Sequence, residues 1–316
     1  VEGVDQERAF AAIKQTAMNE GRGNNLRMKY GYIPFDEFTK ESVAFDMEYA
    51  LADGAAAVAA KKLGKAEDEK YFTERSHSYR NYFDKETGFI RGLDSKRQWR
   101  TPFNPRSSSH RSDDYCEGTA WQYLWLVPHD VDGLKECFGG REIMLSKLDS
   151  LFTAPSTVEG APSPDISGMI GQYAHGNEPS HHILYIYTML GEPHKCARLV
   201  RKVMEEQYRD DYDGLSGNED MGQMSAWYIM SALGFYQVEP ASGRYWLGSP
   251  TVQRAEIAVA GGTFIIETTN NSKENIYIKS IELNGEDYRL PYIMHSDITR
   301  GGKLTVEMSD TPAAWF

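Results

Sequence analysis

Three short polar stretches, each carrying acidic side chains, stand immediately ahead of apolar, aromatic-rich segments. They are Ser112-Asp113-Asp114-Tyr115-Cys116-Glu117, His175-Gly176-Asn177-Glu178-Pro179-Ser180-His181-His182 and Gly217-Asn218-Glu219-Asp220-Met221-Gly222-Gln223-Met224. Carboxyl groups brought from such separate places to one hollow could cleave a glycosidic bond. One would stay protonated to release the leaving oxygen, while the other deprotonates water. A gap of about 6.5–9.5 Å between them admits that water and gives inversion. A helix N-terminus favours the ionised form, which suits a base. A general acid there needs compensating burial, which Trp121 and Tyr123 are placed to supply. Asn177 and Glu178 offer hard oxygens, better suited to Ca²⁺ than to a transition metal. His181 and His182 are adjacent and so fall on different helix faces, which is not a zinc spacing.

A plainer reading competes at each stretch. Asp114 and Glu117 have the spacing of a capping box. Glu178-Pro179 suits a first helical turn, where proline loses no hydrogen bond and an acid suits the dipole. Asn218 or Asp220 has the chemistry of an N-cap. Three such stretches, each leading into an apolar helix, favour a gathered site over three coincidental caps.

The elements that would gather them alternate in kind. Val43 to Leu63, Gly118 to Val127, His182 to Leu190 and Met224 to Tyr236 are apolar or aromatic on nearly every side. Glu67 to Phe83, Arg141 to Phe152, His194 to Tyr208 and Gln6 to Met18 carry charges and a one-sided apolar stripe. A helix apolar all round must be covered all round, whereas a striped one lies outside. Inner and outer helices in alternation describe an α/α toroid, and parallel inner helices would bring their N-termini to one mouth. Eight helices are fewer than the twelve of a closed ring, so an incomplete (α/α)6 toroid is expected over residues 1–243. From about residue 244 strands take over. Ala255 to Val259, Thr263 to Thr268, Asn275 to Leu283 and Lys303 to Glu307 alternate in polarity, and Asn284-Gly285 is a hairpin turn. Residues 244–316 therefore read as an antiparallel β unit, and the chain as mainly α.

Bulk properties narrow the partners. Apolar residues are 41% and charged residues 25% of the 316, ordinary for a globular chain. The 46 acids against 34 basic residues give a net charge of −12, which repels a phosphate backbone and argues against nucleic acid. No apolar run approaches the length that spans a bilayer, about 18 residues or more, so no membrane partner is expected. Val1-Glu2-Gly3-Val4-Asp5 is not a signal peptide and does not read as a natural start. Cys116, Cys137 and Cys196 have no metal spacing and read as thiols in apolar surroundings.

At its three acidic stretches the sequence resembles glycoside hydrolase family 92, the calcium-dependent, exo-acting α-mannosidases. The resemblance rests on Glu117-Gly118-Thr119-Ala120-Trp121-Gln122-Tyr123, on Gly171 through His182, and on Gly217 through Tyr228 with Ser231 to Tyr236. It extends from Met28-Lys29-Tyr30-Gly31-Tyr32-Ile33-Pro34 through most of the chain. It implies Glu117 as general acid and Asp220 as the residue activating water, supported by Asn218 and Glu219. Asn177 and Glu178 would help hold Ca²⁺, which in this family engages mannose hydroxyls. His175 would contact substrate, and Glu159 lies in the Thr153 to Asp165 loop where the second sugar is read. Trp99 and Phe103 could form a sugar platform, and loop packing explains them equally well. Glu48-Tyr49-Ala50 and Asp53 fit the family pattern, while Gly54 stands where a larger residue is expected. The implied activity is removal of terminal α-linked mannose with inversion, α-1,2 first, with α-1,3, α-1,4 and α-1,6 open. The resemblance further implies an extracytoplasmic location and an upstream β-sandwich that, with the remaining barrel helices of the same gene product, completes the site. A chain beginning at Val1 need not be active alone. A non-catalytic carbohydrate-binding fragment and another inverting (α/α)6 hydrolase are the alternatives.

Overall fold

A computed structural model describes residues 3–316, which fall into two compact units. One runs to Ala174 and takes in Pro240–Ser242; the other comprises His175–Glu239 and Gly243–Phe316. The first holds helices α1 (Gln6–Ala17), α2 (Asn24–Tyr30), α3 (Ser42–Lys62), α4 (Ala66–Ser76), α5 (Tyr79–Tyr82), α6 (Ala120–Tyr123), α7 (Val131–Phe138) and α8 (Arg141–Thr153). Its strands are short pairs: β1 (Phe83–Asp84) with β2 (Phe89–Ile90), β3 (Ser107–Ser109) with β4 (Glu159–Ala161), and β5 (Met169–Ile170) with β6 (Tyr173–Ala174).

Small residues let α3 pack closely. Ala56, Ala57 and Ala60 are buried beside Phe10 of α1 and Phe72 of α4, whose rings meet edge-on at 6.5 Å. Beside this apolar seam lies a buried ionic network. Arg27 on α2 bonds Asp46 (2.7 Å) and Asp53 of α3, and Arg75 also reaches Asp53 (3.0 Å). Asp46 accepts further bonds from the Ser78 hydroxyl (2.6 Å), the Tyr82 hydroxyl (2.8 Å) and the Ile33 amide (2.9 Å). Buried charge is tolerable only when its lone pairs are met in this way. Asp53 therefore ties helices together. Gly54 also has a local cause: a Cβ there would lie 2.9 Å from the Cβ of His129, whose ring fills the space. Burial depresses His129 to about 4, and its Nε2 lies 3.0 Å from the Ser76 carbonyl.

The second unit contains α9 (Ile183–Met189), α10 (Pro193–Glu206), α11 (Gln223–Leu233) and α12 (His295–Thr299). Residues 183–188 of α9 are all buried, whereas α10 buries only the stripe Cys196, Ala197, Val200, Val203 and Met204. That is the expected contrast between a covered and a one-sided helix. Strands β7 (Phe235–Gln237), β8 (Arg244–Leu247) and β13 (Tyr292–Met294) form a three-stranded sheet in the order β13-β8-β7. A five-stranded sheet has β9 (Arg254–Val259), β10 (Gly262–Thr269), β11 (Tyr277–Leu283), β12 (Glu286–Asp287) and β14 (Gly302–Ser309) in the order β12-β11-β14-β10-β9. Its buried face includes Phe264, Ile266, Ile278, Ile281, Leu304, Val306 and Met308.

The chain is thus helix-rich with a β region, and the eight segments with helical periodicity are all helical, in part at least. The stretch after Gly118 keeps only the four residues of α6, and the stretch from Glu67 breaks into α4 and α5. The β region corrects one expectation, because it is not purely antiparallel. β14 pairs antiparallel with β11 but parallel with β10, with Ile266 opposite Leu304. The hairpin at Asn284-Gly285 is as expected: both residues have positive φ (56° and 83°), and Leu283 pairs with Glu286.

Candidate active site

In the first unit, the stretch before α6 is a loop fastened by its aspartates. The carboxylate of Asp113 accepts the amides of Ser109 and Tyr115 (3.0 Å for Tyr115). Asp114 takes the fork of Arg100 at 2.8 and 2.9 Å and the Ser42 hydroxyl at 3.1 Å. Neither caps α6. The capping box is Thr119 with Gln122: the Trp121 amide donates to Thr119 Oγ1 (3.2 Å), and the Thr119 amide to Gln122 Oε1 (2.7 Å). The Asp114–Glu117 capping box is therefore not the one used, because Arg100 claims Asp114.

Glu117 sits between these two fixtures, half-buried, with a left-handed backbone (φ 51°). Such a conformation costs about 1–2 kcal/mol for a residue with a Cβ, and it is a mark of functional loops. Of the two aromatic residues expected to shelter Glu117, Tyr123 lies near it. Its phenol donates to the Cys116 carbonyl (2.6 Å) and lies within electrostatic reach of Glu117. Trp121 instead packs edge-on against Phe89 (4.8 Å), with the Lys147 amine 4.9 Å from its ring centre. The Cys116 thiol is pushed up to about 12, by burial first and then by Glu41 and Glu117.

Three other candidates lie in this unit. The Arg91 guanidinium packs against Trp99 (5.5 Å) and Phe103 (4.4 Å), and Arg91 is paired with Asp84 (2.7 Å). Glu159 is exposed and bonded to Arg106 (3.0 Å) and Asn104 (2.8 Å) across the β3–β4 pair.

The second unit holds the other two stretches, and it brings them into contact. A Cβ on Gly217 would lie 2.1 Å from the Gly176 carbonyl oxygen, so the two backbones touch at this point. Asn177 and Glu178 thus follow immediately on one side of the contact, and Asn218, Glu219 and Asp220 on the other. Asn177 stands at the N-cap of a 3-10 turn, Glu178–Ser180, without a side-chain cap bond. The N-cap of α11 is Gly222, so neither Asn218 nor Asp220 has that role. Glu219 does engage the helix, accepting the Ser225 amide at 3.2 Å. Asp220 is exposed, and three successive residues, Asp220 (φ 42°), Met221 (59°) and Gly222 (87°), are left-handed.

His175 is fully buried, with its ring 4.4 Å from that of Trp227 and 4.8 Å from that of His181. Its Nε2 lies 2.7 Å from the Tyr208 hydroxyl, and burial depresses it to about 2. His181 is depressed to about 4 by burial, and Gln223 bridges it to Tyr236. Burial raises Tyr236 to about 12, with Glu178 adding to the shift. This aromatic floor beneath the two stretches escaped sequence reading; its only signal was the recurrence of His, Tyr and Trp in segments already assigned to helices.

Among the described residues, no cluster of three or more His, Cys, Asp and Glu side chains could hold a metal. Asn177 and Glu178 suit calcium by donor chemistry, but two side chains fall short of the six to eight oxygens Ca²⁺ takes. No helix among the described residues is long and apolar enough to cross a membrane.

The Gly176–Gly217 contact makes a local prediction. Gly217→Ala should displace the backbone at Gly176–Glu178 and lower activity of the complete gene product roughly 10-fold or more, with a measurable drop in Tm. Unchanged kinetics and melting would show that the two stretches need not touch.

Solved structures similar to this chain include mannosidases. One is an α-mannosidase from Bacteroides thetaiotaomicron in complex with mannoimidazole; it is 42% identical, with a TM-score of 0.94 covering 99% of this chain and 42% of that one. Another, described as an inverting mannosidase from the same organism, is 33% identical with a TM-score of 0.87, covering 99% and 44%. An uncharacterized secreted glycosidase from Arthroderma benhamiae is 27% identical over 99% of this chain and 43% of its own length. The chain therefore spans less than half the length of these relatives. Residues 1–310 match the Glycosyl hydrolase family 92 catalytic domain. The chain belongs to glycoside hydrolase family 92.

Proposed function

We propose that this chain is the larger part of the catalytic domain of an exo-acting α-mannosidase that removes terminal α-linked mannose with inversion. The observation that carries the reading is shared by Glu117 and Asp220: each sits on a left-handed residue just ahead of a helix it does not cap. Backbone strain of that kind is retained where it aims a side chain. Glu117 would protonate the glycosidic oxygen, and Asp220 would take a proton from water attacking the opposite face of the sugar. Asn218 and Glu219 would support Asp220 as the base; His175 was expected to contact substrate but is fully buried, and it would instead anchor the segment bearing Asn177 and Glu178. Glu159, Trp99 and Phe103 are assigned to the sugar beyond the scissile bond.

Asn177 and Glu178 would contribute to a calcium site that main-chain carbonyls, water and substrate hydroxyls complete. The ion would orient mannose and draw charge from its hydroxyls. In this reading residues 1–243 supply helices of an (α/α)6 ring, and residues 244–316 pack on an upstream β-sandwich. The secreted glycosidase among its relatives supports an extracytoplasmic location.

The test is sugar release by the complete gene product from α-1,2-, α-1,3-, α-1,4- and α-1,6-linked mannobioses. Mannose should appear first as the β-anomer from at least one of them, stop with EDTA and return with Ca²⁺. Release from none of them, or α-mannose as first product, would overturn the reading.

A further inference from the structure

We propose that Glu48 is a further substrate-contacting residue, a carboxyl placed beside Glu117 to hold a hydroxyl of the sugar whose bond is cleaved. The proposal rests on the mannosidase reading and stands on the way α3 meets the Glu117 loop. The first turn of α3 is stitched to that loop. The Glu41 amide donates to the Asp113 carbonyl (2.6 Å), the Ala44 amide to the Asp114 carbonyl (3.0 Å), and the Ser42 hydroxyl to the Asp114 carboxylate (3.1 Å). Glu48 follows Ala44 by four residues and so lies above it on the same helix face. Tyr123, bonded to the loop at Cys116, lies within electrostatic reach of both Glu48 and Glu117. Two carboxyl groups therefore lie within electrostatic reach of one phenol.

The condition of the Glu48 carboxyl is unusual for a helix surface. It is exposed, yet it makes no hydrogen bond or ion pair with any described residue. Its pKa is nonetheless raised, because surrounding protein displaces water from it. A glutamate projecting into bulk water would feel no such crowding, and Asp53 on the same helix meets desolvation with two arginines. Glu48 is open to solvent, hemmed in and without a counter-ion, the situation of a side chain in a depression awaiting a partner. That partner should be neutral and rich in hydroxyl groups. The two oxygens of a carboxylate can accept from a pair of adjacent sugar hydroxyls.

The test compares the complete gene product with its Glu48→Gln and Glu48→Ala variants on mannosides and on monodeoxy analogues lacking one hydroxyl at a time. In Glu48→Ala kcat/KM should fall about 10- to 100-fold, with a smaller loss in Glu48→Gln. The alanine variant should also cease to distinguish the parent sugar from one particular deoxy analogue, a change no general loosening of the fold would produce. Melting temperatures should stay level or rise, since an unpartnered crowded carboxyl contributes nothing to folding. An active parent with kcat/KM within about twofold in Glu48→Ala, or an equal loss on every analogue with a lowered Tm, overturns the assignment. A parent inactive on all mannosides overturns the mannosidase reading and this one together.

Discussion

Glu117→Gln is expected to slow mannobiose turnover by about 10²–10⁴-fold while the protein remains folded. The amide matches the carboxyl in size but has no acidic proton for the departing oxygen. The helix beyond it should survive, because Thr119 and Gln122 form the cap of α6. Substrate choice makes the result diagnostic. The mannose displaced from a mannobiose is a poor leaving group and needs the proton, whereas the acidic phenol of an aryl mannoside needs it less. The loss should accordingly be much smaller on the aryl substrate. Near-normal rates on the disaccharide would remove Glu117 from the acid role.

Asp220→Asn should be comparably inactive, for the opposite reason: water is left without a base. The loop geometry favours a clean experiment, since Asp220 is exposed, is not the N-cap of α11 and exchanges with an amide of nearly equal volume. Azide is already an anion and needs no deprotonation. Added azide should form a bond from nitrogen to the anomeric carbon as the aglycone departs, giving β-mannosyl azide and partial recovery of the rate. Recovery with the α-azide instead would mean attack from the leaving-group face and would contradict an inverting site. Full activity without azide would dismiss Asp220 as the base.

Much of this architecture was legible because helix periodicity is a property of the segment itself. The covered helix α9 and the striped helix α10 are told apart by residues 183–206 alone. Helices α2, α7 and α12 were missed. In α2 the buried side chains are Asn24 and Arg27, so the core-facing positions are polar and leave no apolar stripe to read. The partners of Arg27, Asp46 and Asp53, lie many residues away and look like surface acids in the sequence. The cap of α6 was not legible because two successive pairs, Asp114 with Glu117 and Thr119 with Gln122, have the same spacing. Arg100, from the loop leading to Asp114, decides between them. The parallel pairing of β10 with β14 was likewise hidden, since a strand alternates with the same period whichever way its neighbour runs. The candidate site shows the same division. The acidic stretches are visible in sequence, whereas the left-handed turns at Glu117 and Asp220 and the Gly176–Gly217 contact exist only in three dimensions.

The position of β14 bears on how its sheet assembles. β9 with β10 and β11 with β12 are neighbours along the chain and can each zip up locally, but between them they share no ladder. The strand that joins them is the last of the five to leave the ribosome. Until it threads into the middle, two hairpins expose edges that could recruit a neighbouring molecule. Nascent chains should therefore linger in an unfinished state, and damage to residues 302–309 would split the sheet through its centre where loss of a rim strand would merely shorten it.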